Sequence, residues 1–154
     1  MSIVLLATGA VLSGLLAGSE LVVRLGVQPA LAGLSPAEQI RGRQVLIRRL
    51  RWFTPLLMLP GAALAIAGAV VATAQGAAGA LWAWVSVGGY AAFLLLAFLG
   101  TVPINIAIDG WDADAPPADA ARVQKRWARI DVFRMSAALL AFLAVVVALT
   151  FAVD

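Results

Sequence analysis

Four stretches of this chain stay apolar for about twenty residues at a time, the length an α-helix needs to cross the hydrocarbon core of a bilayer. They run over about 3–23, 53–74, 80–107 and 130–151. Inside hydrocarbon each backbone amide must be satisfied within the protein, which leaves helices for runs of this kind. The expected fold is therefore all-α: an integral-membrane four-helix bundle, one transmembrane domain over 1–154. Composition agrees, because 63% of the 154 residues are hydrophobic where soluble domains average roughly 45–50%. The first basic residue, Arg24, follows the first run instead of preceding it, so that run reads as a retained helix and not a cleaved signal.

All 11 Lys and Arg lie in two segments, Arg24 to Arg51 and Arg122 to Arg134. Both flank membrane spans, so they report topology and argue against a nucleic-acid partner. With four spans the two segments share one side, which the positive-inside rule names cytoplasmic, leaving both termini outside. Cysteine and histidine are both absent, so no disulfide, zinc, haem or iron–sulfur site is available from the usual ligands. No metal and no cofactor are expected. The loop aspartates Asp112, Asp114 and Asp119 lack the downstream glutamate of a calcium loop.

Polar residues inside or beside the spans carry the functional argument. Glu20 precedes Arg24 by one turn, which allows either an interfacial ion pair or a carboxylate turned into the bundle. Gln28-Pro29 favours an extended or turning backbone. Ser35-Pro36-Ala37-Glu38 forms a capping box that opens an amphipathic cytoplasmic helix leading into the second span. Its arginines Arg41, Arg43, Arg48, Arg49 and Arg51 are expected to form a solvated collar, with Gln44 and Arg48 on one face able to look inward instead. Pro60 predicts a kink, residues 76–79 a tight turn, and Gly88-Gly89-Tyr90 a close-packing patch. Pro103 frees the carbonyl of Leu99, with Asn105 near that defect. Beyond the loop, Trp127, Asp131 and Arg134 fall at i, i+4 and i+7 on one helical face, and Asp131 with Arg134 is spaced as an i,i+3 pair.

The segments GSELVVRLGVQPAL, VPIN and WDADAPPADAARVQKRWARIDVFR resemble the anthrone oxygenase-like family of small four-helix membrane proteins. Glu20, Pro29-Ala30-Leu31, Pro103, Asn105, Trp127 and Arg134 match its pattern. Gln28 stands where relatives often carry histidine, Asp131 where they carry asparagine or histidine, and Thr101 where they carry asparagine. The resemblance implies oxidation of anthrones to anthraquinones in aromatic polyketide, natural-product pathways.

Three functions are compatible with these residues. The first is a cofactor-independent enzyme on a lipophilic aromatic or polyketide-like molecule: Glu20 or Asp131 as base, Arg134 stabilising an enolate, and Gln28, Gln44, Arg48, Asn105 and Trp127 contacting substrate. The same set would serve an isomerase or cyclase. The second is a non-catalytic scaffold or lipid- or ligand-binding protein in which the charges neutralise one another. Transport is the third and needs oligomerisation, since no repeat symmetry is visible. Expected partners are the substrate and membrane lipids, with a homo-oligomer compatible with each reading. The enzyme reading requires a cavity onto which Glu20, Asn105 and Arg134 converge.

Overall fold

The computed structural model describes residues 2–153, and these form helices joined by short connections, with no strand among them. In chain order they are α1 (Ser2–Val22), a π-helical segment π1 (Val23–Val27), α2 (Gln28–Ala32), α3 (Pro36–Ala74), α4 (Ala80–Leu95), a second π segment π2 (Leu96–Thr101), α5 (Val102–Asp109) and α6 (Ala120–Val153). Since π1 and π2 continue their helices, the chain makes four long rods, each long and apolar enough to cross a membrane. At 1.5 Å per residue the 39 residues of α3 reach about 58 Å, nearly twice a hydrocarbon core of about 30 Å. Its first half therefore projects beyond the apolar layer.

Why α3 begins where it does is visible atom by atom. The Ser35 side chain accepts from the Glu38 amide, and the Glu38 carboxylate accepts from the Ser35 amide at 3.0 Å, completing the capping box. Pro36 occupies the first turn, where its missing N–H is no loss. At the other end Gly76 adopts φ +62, open to glycine without penalty, and turns the chain into α4. Pro55 and Pro60 both lie within α3, which stays helical through them.

The rods approach closely because their facing residues are small. On α6, Ala137, Ala138, Ala141, Ala144 and Ala148 are all buried. A Cβ on Gly89 would sit 2.8 Å from the Ala141 amide nitrogen, so α4 and α6 touch backbone to backbone there. Ser86 donates to the Ala141 carbonyl at 2.9 Å across the same contact. Gly88, next to it, meets nothing and is not part of that contact. Leu16, Met58, Tyr90 and Phe93 fill the centre of the bundle. Ser13 donates to the Gly9 carbonyl at 2.7 Å, which uses its one proton, so the Tyr90 hydroxyl donates to Ser13 at 2.9 Å. Outward-facing Leu, Val, Ile and Phe on every rod provide the lipid-contacting surface.

Several local expectations give way here. Gln28 is helical (φ −60, ψ −49), not extended, and the first rod runs on to Ala32. The cause is π1: the Gln28 amide reaches back five residues to the Val23 carbonyl, absorbing the disruption from Pro29. The same device precedes Pro103, where the Val102 amide donates to the Ala97 carbonyl. The polypeptide therefore passes both prolines without leaving the helix. Arg43 also departs from the solvated collar: it is 8% exposed and its guanidinium lies 5.2 Å from the centre of the Trp127 ring.

Candidate functional site

Four rods contribute to one buried ionic centre at the basic end of the bundle. Glu20 comes from the last turn of α1, Thr101 from π2, and Asp131 and Arg134 from α6. Arg134 donates to the Glu20 carboxylate at 2.7 Å and to the Thr101 hydroxyl at 3.3 Å. Its guanidinium also covers the Phe93 ring at 4.8 Å, a cation–π contact in a dry setting. Glu20 thus turns inward to α6 and forms no ion pair with Arg24 among the described residues. Nor do Asp131 and Arg134 form the spaced pair: Asp131 is 1% exposed, and its Oδ2 has no hydrogen-bond partner. Competition explains this, because Arg134 can present its fork to only one carboxylate at contact distance, and α1 places Glu20 in line with it. The Nε of Arg134 is likewise enclosed and unpartnered.

Beside this centre lies a cavity of about 380 Å³ between α3, π2, α5 and α6. Leu50, Thr54 and Met58 form one wall, Phe98, Val102 and Ile106 the other, and Glu20, Asp131 and Arg134 the polar floor. Phe98 and Ile106 are themselves largely exposed on the lipid-facing surface, so the mouth is bordered by side chains that lipid tails would touch. The volume falls in the range of small-molecule sites, as does the pattern of an apolar lining with a few converging polar groups.

Asn105 lines this cavity, but it does not serve the carbonyl freed by Pro103. Its Oδ1 accepts from Trp127 Nε1 at 2.9 Å instead, joining α5 to α6. Trp127 is buried and reaches the cavity with one part of its ring system while Arg43 covers the ring. The other sequence candidates stand elsewhere. Gln44 donates to the carbonyls of Ile108 (3.0 Å) and Trp111 (2.9 Å), tying down the free carbonyl end of α5. Arg48 pairs with Asp109 at 2.7 Å in a largely exposed position. Gln28 is buried but lines a second, separate groove together with Arg43. Within the loop, Asp114 binds Arg41 and Asp119 binds Arg122. Asp112 accepts from the Asp114 amide at 2.9 Å, so the loop aspartates fasten the connection between α5 and α6.

Two residues escaped the sequence reading. Thr101 had a legible signal, its position two residues before Pro103 in a run otherwise apolar. Arg43 had a fainter one: it is spaced i+3 from Ile40, which is 1% exposed and marks the inner face of α3.

Fold and site together define an integral-membrane four-helix bundle with an ionic centre at the base of an apolar cavity. The model of the anthrone oxygenase family matches residues 50–144, more than half of the chain, and the protein belongs to that family. The match takes in Asn105, Trp127, Asp131 and Arg134 but not Glu20. No curated protein and no solved structure matches the sequence.

Proposed function

We propose that the protein is a membrane enzyme that oxidises a lipophilic aromatic molecule of the anthrone type, with the cavity as its active site. The observation that carries this reading is the meeting, at one cavity floor, of an unpartnered buried carboxylate oxygen on Asp131 and a fixed guanidinium on Arg134. A purely structural charge network favours complete mutual satisfaction, and Glu20 with Arg134 fits that description. Asp131, unpartnered beside open space, does not.

In this mechanism Asp131 is the base. It takes a proton from the acidic CH2 of the bound anthrone, and Arg134 stabilises the negative charge that appears on the ring oxygen. Glu20 and Thr101 hold Arg134 in position, leaving its free Nε as the donor to that oxygen. The enolate then reacts with molecular oxygen, the oxidant. Loss of a second hydrogen as water leaves the quinone carbonyl, so anthrone plus O2 gives anthraquinone plus water. The Asn105–Trp127 pair borders the aromatic rings. The substrate reaches the site laterally from the bilayer, past Phe98 and Ile106, with the basic end on the cytoplasmic side. No residue of this chain need bind a metal or a cofactor in this scheme.

The test is turnover of an anthrone by purified protein at matched amounts of wild type and Asp131→Asn. A general base contributes about 10²–10⁴-fold, so the variant should lose at least about a hundredfold in kcat while remaining folded. Equal turnover would end the assignment of Asp131. An acid–base isomerase or cyclase reading would gain instead if the product formed without uptake of oxygen.

A further inference from the structure

On the far side of the Arg43–Trp127 stack, a groove of about 610 Å³ opens between α2, α3 and α6. It shares no lining residue with the cavity, so it stands independently of the catalytic reading. Arg24, Arg43 and Lys125 line it, with Gln28 and Gln124, and no carboxylate does. Two of these side chains carry an unmet demand. Gln28 and Arg43 are each 8% exposed, and Gln28 Nε2, Arg43 Nε and Arg43 Nη1 are enclosed without a hydrogen-bond partner. Buried donors in folded proteins are nearly always satisfied, since an orphaned one is costly.

Charge points the same way. Four cations (Arg24, Arg43, Lys125 and Arg134) surround this end of the bundle, against the two carboxylates Glu20 and Asp131. Glu20 is occupied by Arg134, and Asp131 makes no ion-pair contact with Arg24 or Arg43 among the described residues. An excess of fixed positive charge thus faces a groove whose donors lack acceptors. What completes it must be an anion with several acceptor oxygens. The apolar side of the groove, Leu25 with Pro29 and Ala32, continues onto the lipid-facing surface, and Leu25 is 69% exposed.

We propose that this groove binds a phosphate group, either that of an anionic phospholipid headgroup or a free phosphate. The phosphate oxygens accept from Arg43 and Gln28 at the back of the groove, with Arg24 and Lys125 at its rim. When a lipid supplies the phosphate, its glycerol and upper chains lie along Leu25.

The experiment is native mass spectrometry of the full chain in neutral detergent. It is titrated with phosphatidylglycerol or with phosphatidylcholine of the same acyl chains, with and without millimolar inorganic phosphate. One phosphatidylglycerol should be retained about tenfold more tightly than phosphatidylcholine. Lys125→Gln and Arg24→Gln, neither of them in the buried core, should each weaken retention about tenfold, as loss of one charge-assisted contact implies. Arg126→Gln, on the same helix but outside the groove, should leave retention unchanged. Displacement by inorganic phosphate identifies free phosphate as a ligand, and failure to displace identifies the lipid headgroup. Equal retention of the two lipids, or an Arg126→Gln loss matching that of Lys125→Gln, overturns the site.

Discussion

Removing Arg134 should expose how much of the bundle rests on its pairing with Glu20. Arg134→Met keeps much of the volume but deletes the 2.7 Å ion pair, the 3.3 Å bond to Thr101 and the stacking on Phe93. Both charged side chains are about nine-tenths buried, so solvent cannot take over for the lost partner. Breaking a buried pair in this way costs about 3–5 kcal/mol, because a carboxylate is left uncompensated. Glu20→Met leaves Arg134 with Thr101 and Phe93 and should cost less, about 2–4 kcal/mol. The double variant carries no orphaned charge, so it should recover about 2–3 kcal/mol relative to the sum of the singles. Denaturant or thermal unfolding in detergent, followed by helical circular dichroism, measures each corner of the cycle. Turnover measured alongside separates structure from chemistry: the double variant should regain stability while remaining inactive. Additive costs, agreeing within about 0.5 kcal/mol, would refute the idea that the pair is an energetic unit. Recovered turnover in the double variant would refute a catalytic part for Arg134.

Other perturbations test the packing and the cavity. A Cβ at Gly61 would lie 2.1 Å from the Tyr90 hydroxyl, so Gly61→Ala should cost about 1–3 kcal/mol, and adding Tyr90→Phe should return part of the lost thermal stability. Gly89→Ala meets the backbone of Ala141 instead of a side-chain tip, so it should separate α4 from α6 with no single compensating change; disulfide crosslinking between cysteines placed across the contact would report the gap. Gln44→Ala strips the carbonyls of Ile108 and Trp111 of their donor and should destabilise by about 1–2 kcal/mol, with hydrogen exchange rising first in α5. Thr54→Phe should fill the cavity from the α3 side, raising KM for an anthrone substrate or abolishing turnover while the melting temperature holds or rises.

Much of this architecture is legible in the chain because the bilayer permits so few answers. Runs such as Phe53 to Ala74 have to be helical, and the Ser35–Glu38 capping box fixes a helix start to the residue. Pairing is harder to read. Sequence spacing puts Arg24 one turn from Glu20 and Asp131 near Arg134, yet the contact that forms joins Glu20 to Arg134 across 114 positions. Local periodicity has no access to that distance. Arg43 misled for a related reason: among five arginines on one helix, only packing against Trp127 marks the one that turns inward. The prolines misled differently, since the rule for the residue before proline assumes α-helical hydrogen bonding and both helices switch to the wider π pattern.

That switch makes length a variable of the site. Each π segment is one residue more than an α-helix would use over the same stretch, held in place by an amide that reaches back five positions. Excising a single residue from 96–101 would let the third rod close into ordinary α-helix. Everything beyond would then rotate by about 100° around the axis, the angle per residue of an α-helix. Asn105 would leave Trp127, and the wall formed by Val102 and Ile106 would face another direction. A substitution at the floor of the cavity alters its chemistry, whereas a one-residue change in chain length re-aims a whole side of it.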